Sequence, residues 1–101
     1  MAETTRVASV EEIPDGTAKV VDLKGKRIAV FNCGGKFYAT TNTCPHRGGP
    51  VGEGEVEGTV ITCPWHGWDF DITSGKCGLN PAAALTCYPT EVRGDDIWVE
   101  G

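Results

Sequence analysis

The chain has 101 residues, a formal net charge of −5 and a 40% hydrophobic fraction. That length accommodates one domain, about 100–150 residues being typical, and the negative balance argues against nucleic acid, which attracts basic surfaces. Only three leucines are present (Leu23, Leu79, Leu85) against 14 glycines, which favours strands and turns over helices. A core this small gains from a bound metal centre. The segment Met1-Ala2-Glu3-Thr4-Thr5-Arg6 has no apolar run, so neither a signal peptide nor a membrane anchor is expected, and the cytoplasm is the expected compartment.

Thr5 to Val10 alternates apolar and polar and predicts a first strand. The turn-rich Glu11 to Gly16 follows, with room for one helical turn. Lys19 to Leu23 and Arg27 to Asn32 predict two further strands about a tight turn at Lys24-Gly25-Lys26. Cys33-Gly34-Gly35 then closes a hairpin onto Lys36 to Thr40. To this point the pattern is a meander of short antiparallel strands. Beyond a loop from Thr43 to Pro50, glutamates fall at alternate positions (Glu53, Glu55, Glu57) and share a face if the segment is extended. They serve as a solvated edge that resists wrong pairing or as a docking surface. Thr59 to Thr62 predicts a short buried strand, Trp68 to Asp71 another that turns at Thr73-Ser74-Gly75, and Leu85 to Val92 pairs with Asp96 to Val99 across Arg93-Gly94-Asp95. The fold class expected is all-β, an antiparallel sandwich or meander of about ten strands. It forms a single domain over residues 1–101 in which two loops make a small lobe at about residues 42–72.

Those loops carry the chemistry. Cys44-Pro45-His46 lies in one and Cys63-Pro64-Trp65-His66 in the other, and the two histidines are the only ones in the protein. Each loop supplies one thiol and one imidazole from Pro- and Gly-flanked backbone that can wrap a ligand closely. Four such residues paired by accident would be a poor explanation. Zinc accepts two Cys and two His, but zinc fingers group the cysteines together and then the histidines, with longer intervals inside each pair. A two-iron, two-sulfide cluster suits the arrangement better: one iron takes both thiolates and the other both imidazoles, so each loop must reach both irons. The candidate ligands are therefore Cys44, His46, Cys63 and His66. The remaining Cys33, Cys77 and Cys87 read as free thiols in a reducing compartment rather than a disulfide framework.

At these residues the sequence resembles the Rieske iron–sulfur proteins, whose pattern of Cys-x-His and then Cys-x-x-His is met position for position. Pro45, Gly48 and Pro50 around the first loop and Pro64 and Gly67 around the second match as well. The resemblance implies the Rieske fold and one [2Fe-2S] cluster per chain. It also implies that the imidazole nitrogens not bound to iron lie near the surface at the tip of the lobe. Two departures are informative. Rieske proteins of respiratory cytochrome complexes carry a second cysteine in each loop, joined by a disulfide, where this chain has Gly49 and Trp65. They also place a serine after the second His-Gly pair as a donor to a cluster sulfide, where this chain has Trp68. Losing that donor lowers the potential. The local charge acts in the same direction: between Cys44 and Lys76, Arg47 and Lys76 stand against Glu53, Glu55, Glu57, Asp69 and Asp71. The lower part of the roughly −150 to +300 mV Rieske range is expected. Trp65 and Pro64 shape an apolar rim around the tip, or Trp65 serves loop packing.

A cluster whose iron positions are all filled by protein ligands and bridging sulfide passes one electron and binds no substrate. No histidine remains for a mononuclear oxygenase iron, and no dinucleotide-binding Gly motif is present. The expectation is an electron carrier rather than an enzyme. It resembles the Rieske ferredoxins that take electrons from a flavoprotein reductase and deliver them to a terminal oxygenase, often one hydroxylating aromatic compounds, and a monomer is expected. A small subunit of a larger reductase, such as a nitrite reductase docked on its large subunit, is the alternative, and a zinc-stabilised interaction module a remoter one. Neither nucleic acid nor membrane is expected as a partner.

Overall fold

The run Ile28-Ala29-Val30-Phe31 has no polar residue among its apolar ones, the pattern of a strand covered on both faces. In the computed structural model, which describes residues 4–23, 25–42, 51–64, 69–76 and 85–100, all four side chains are fully buried. They lie in β3 (Lys26–Cys33), flanked by β2 (Ala18–Leu23) and β4 (Lys36–Thr41). The other strands among the described residues are β1 (Thr4–Ser9), β5 (Glu55–Glu57), β6 (Val60–Thr62), β7 (Asp69–Asp71), β8 (Cys87–Tyr88), β9 (Thr90–Arg93) and β10 (Asp96–Glu100). They form three antiparallel sheets, ordered β1-β10-β9, β2-β3-β4-β8 and β5-β6-β7. The all-β expectation holds.

Alternation along β3 feeds two cores. Ile28 and Val30 pack with Ala8, Ile13, Leu23, Ile97 and Val99 between the first two sheets. Ala29 and Phe31 pack on the opposite side with Val51, Ile61, Cys63, Phe70, Ile72 and Leu85. The central sheet is thus the middle layer of three.

Two expectations need correction. The first strand does not begin the meander: β1 pairs with β10, Thr5 opposite Val99, with a bulge between Arg6 and Ala8. A one-turn 3-10 helix at Val10–Glu12 diverts the chain, and the fully buried Ile13 anchors the crossing between sheets. Glu12 holds that turn, accepting hydrogen bonds from the Ser9 amide and the Lys19 ammonium, both at 2.6 Å. The Lys19 hydrogen bond is the main reason that its carboxyl pKa falls to about 2. The second correction concerns Leu85 to Val92, which is not one strand. It divides at Pro89 into β8, paired with β4, and β9, paired with β10. Proline has no amide to donate to a ladder, so the chain leaves one sheet there and joins another.

The β3–β4 hairpin is as expected. Gly34 (φ 66°) and Gly35 (φ 93°) both take left-handed conformations, as a two-residue primed turn requires. Asn32, 6% exposed, secures it: Oδ1 accepts from the Gly35 amide at 2.9 Å and Nδ2 donates to the Ile13 carbonyl at 2.8 Å. Asn32→Ala leaves that carbonyl unpartnered and should cost about 2 kcal/mol, read as a lower urea midpoint at unchanged slope; a midpoint equal to wild type would refute the role.

Candidate metal centre

The third sheet brings the chain to the site. β6 lies between β5 and β7, with Val56 opposite Ile61 and Ile61 opposite Phe70. Ile61 and Phe70 are fully buried and face the core shared with β3. The next outward step of the pleat puts Glu55, Thr62 and Asp69 in one cross-strand row and Glu57, Val60 and Asp71 in another. The expected buried strand is therefore buried on one face only, and Val60 is 38% exposed. Glu53 does not join the other glutamates, because it belongs to a 3-10 turn at Val51–Glu53. Thr62 Oγ1 donates to Asp69 Oδ1 at 2.7 Å. Asp71 accepts from the hydroxyl and amide of Thr73 at 2.6 and 2.9 Å, which holds its carboxyl below the usual range.

Cys63 follows β6 directly and is 1% exposed, part of the core with Val51, Ile61 and Phe70. Of the four candidate ligands it is the one within the described residues; Cys44, His46 and His66 lie outside them, as do Gly49, Trp65 and Trp68. The structure does fix where the first ligand loop departs and returns. Asn42, 7% exposed, accepts from the Val51 amide through its main-chain oxygen at 2.8 Å and from the Gly52 amide through Oδ1 at 2.9 Å. Gly54 packs so closely on β6 that a Cβ there would overlap the Thr62 carbonyl oxygen, the peptide that leads into Cys63. Sequence reading passed over Asn42, Gly52 and Gly54. The Gly-x-Gly spacing between the two loops was the available signal.

Burial, and then the charge of Asp15, pushes the Cys33 thiol up; burial, and then Asp71, does the same to Cys87. Neither is in a disulfide, and Cys77 lies outside the described residues.

The model of the Rieske [2Fe-2S] domain family matches residues 3–89. The chain belongs to that family. A Rieske relative, the 3-phenylpropionate/cinnamic acid dioxygenase ferredoxin subunit of Escherichia coli (strain K12), is 38% identical over 93 residues, covering 90% of this chain and 87% of its own. The ferredoxin in a complex of reduced oxygenase and oxidized ferredoxin of carbazole 1,9a-dioxygenase superposes with a TM-score of 0.89 at 32% identity, over 97% of this chain and 93% of that one. A structure described as the NADH-dependent nitrite reductase small subunit of Mycobacterium tuberculosis gives a TM-score of 0.92 over 100% and 96% of the two chains. Its 23% identity shows a shared fold.

The cofactor of this Rieske protein is a [2Fe-2S] cluster. The described part of the site fits it. Cys63 offers a soft sulfur donor at a strand end, withdrawn from water on the core side. The cleft beside it is lined by Glu53, Gly54, Glu55, Thr62 and Pro64, with no cation among them to stabilise added negative charge.

Two outcomes follow. Cys63→Ser should yield protein without the cluster, whereas Cys87→Ser should retain two irons and two labile sulfides per chain, as read by iron and sulfide assay. A redox titration should place the midpoint below about +100 mV, in the lower part of the Rieske range; a value well above that would refute the effect assigned to the acidic lobe and the missing serine.

Proposed function

We propose that this Rieske protein is a one-electron carrier. It accepts electrons from a flavoprotein reductase and delivers them to a terminal oxygenase that acts on aromatic compounds. The observation that carries this reading is the similarity, over nine-tenths of the chain, to a dioxygenase ferredoxin subunit, supported by the likeness to a ferredoxin solved together with its oxygenase. In this reading residues 1–101 form one domain with a cluster-binding lobe at about residues 42–72. Cys44, His46, Cys63 and His66 hold the cluster, the cysteines on one iron and the histidines on the other. When bound, the cluster supplies reversible one-electron transfer.

The chain's own residues then position and steer. Cys63 enters the site from a three-stranded sheet whose inner face is buried against the central sheet. Glu55, Glu57, Asp69 and Asp71 cover the outer face of that sheet beside the half-exposed Val60. A face of one charge sign accelerates encounter with a basic partner, at a rate that falls as salt rises. Among the described residues no helix is long and apolar enough to cross a membrane. The free thiols of Cys33 and Cys87 suit a reducing cytoplasm. A permanently docked small subunit of a nitrite reductase is the second reading, since that fold is shared; a monomer on gel filtration that a separate reductase reduces would favour the carrier.

The decisive experiment measures electron exchange with purified reductase and oxygenase pairs. Transfer to a ring-hydroxylating oxygenase supports the assignment, and transfer only within a nitrite reductase complex overturns it. At low ionic strength, Glu55→Lys/Glu57→Lys should slow transfer by about tenfold, and the difference should fade as salt is raised. A variant equal to wild type at low salt would remove the outer face from the docking model.

A further inference from the structure

The Val51–Glu53 turn connects the two ligand loops physically as well as in sequence. At one end Asn42 grips it twice, through main-chain and side-chain oxygens on the Val51 and Gly52 amides at 2.8 and 2.9 Å. Asn42 and Val51, the described residues on either side of Cys44 and His46 in the sequence, are thereby held together. Asn42 is itself tied to the central sheet, its amide donating to the Arg27 carbonyl at 3.2 Å. At the other end the Gly54 amide donates to the Val51 carbonyl at 3.0 Å, and the Gly54 backbone lies against the Thr62 carbonyl, where no Cβ fits. That carbonyl belongs to the peptide entering Cys63.

The turn has no room to slide. A Cβ on Gly52 would stand 2.7 Å from Val20 Cγ2, 2.8 Å from Asn42 Oδ1 and 3.1 Å from Ala29 Cβ. Val51 is fully buried in the core that also holds Cys63. One short turn seated on β2 and β3 thus joins Asn42 to the peptide that enters Cys63. We propose that Asn42 and Gly54 are positioning residues for the metal centre, which through this turn tie Asn42, just before Cys44, to the peptide that enters Cys63. The proposal rests on the assignment of Cys44, His46, Cys63 and His66 as ligands. Groups behind the ligands tune affinity and electronic structure by orienting the donors, so these residues act on the centre and not on fold stability alone.

Asn32 provides the control. It is a buried asparagine of similar exposure on the same sheet, and its side chain likewise holds a glycine amide, that of Gly35, and also donates to the Ile13 carbonyl. Holoprotein carrying Asn42→Ala, Gly54→Ala, Asn42→Asp or Asn32→Ala would be compared by EPR of the reduced state, iron release to a chelator and urea unfolding. Asn42→Ala and Gly54→Ala should shift the g-values and release iron about tenfold faster. Asn42→Asp keeps the oxygen facing the Gly52 amide and should restore the native lineshape. Asn32→Ala should lose folding stability with native lineshape and release rate.

Native EPR and release rates in both Asn42→Ala and Gly54→Ala would overturn the proposal. If the alanine variants fail to accumulate, the aspartate variant decides: a native spectrum supports the role of the acceptor, and failure like that of alanine overturns it. Wild-type protein lacking iron and sulfide, or a Cys63→Ser variant that keeps them, overturns the ligand assignment and the proposal with it.

Discussion

The structure depends on β3 being buried on both faces. Fully burying an Ile, Val or Phe side chain contributes roughly 1.5–3 kcal/mol, and β3 buries Ile28, Val30 and Phe31 together with Ala29 in succession. The pleat sends Ile28 and Val30 to one core and Ala29 and Phe31 to the other. A slip of one residue would exchange the two sets, so both cores fix the same register. The β5-β6-β7 sheet that leads into Cys63 is consequently no appendage. Its buried face, Ile61 and Phe70, closes the second core against β3, and Cys63 and Val51 belong to that core.

This arrangement separates rigidity from charge. The side of the small sheet that faces β3 is apolar, while its other side carries carboxylates in two cross-strand rows. Like charges so placed repel, but in water the cost is small and is screened over about 8–10 Å. Hydrogen bonds from Thr62 and Thr73 to Asp69 and Asp71 hold two of the four carboxylates. The position of Cys63 is thereby set by packing, whereas the carboxylates of the other face are not part of that core.

Asn42 and Asn32 illustrate how one residue type serves two purposes in this fold. Both are buried, and both use a side-chain oxygen to hold a glycine amide. Asn32 closes a hairpin far along β3 from the ligand loops. Asn42 stands where β4 ends and the first ligand loop begins, and its partner Gly52 belongs to a turn that also reaches β6. The difference lies in what each asparagine is connected to.

Most of the strands were legible in the sequence, as were the candidate ligands Cys44, His46, Cys63 and His66, because both are local patterns. The division of Cys44-x-His46 and Cys63-x-x-His66 implies two irons, and Gly34-Gly35 between apolar runs implies a hairpin; both follow from spacing and backbone sterics within a few residues. The pairing of β1 with β10 had no such signature, since Arg6 and Asp96 are 90 residues apart in sequence and only burial of Ala8, Ile97 and Val99 in one core brings them together. The division at Pro89 was visible as a residue but not as a change of sheet. Whether Val60 or Ile61 turned inward, and that Glu55 and Glu57 but not Glu53 would share a face with Asp69 and Asp71, awaited the register. The sequence by itself determined the cofactor chemistry, because ligand identity and order are properties of the chain. Only the tertiary structure decided what joins Asn42 to the peptide entering Cys63, because the approach of Gly54 to the Thr62 carbonyl and the grip of Asn42 on Gly52 arise from segments brought together by packing.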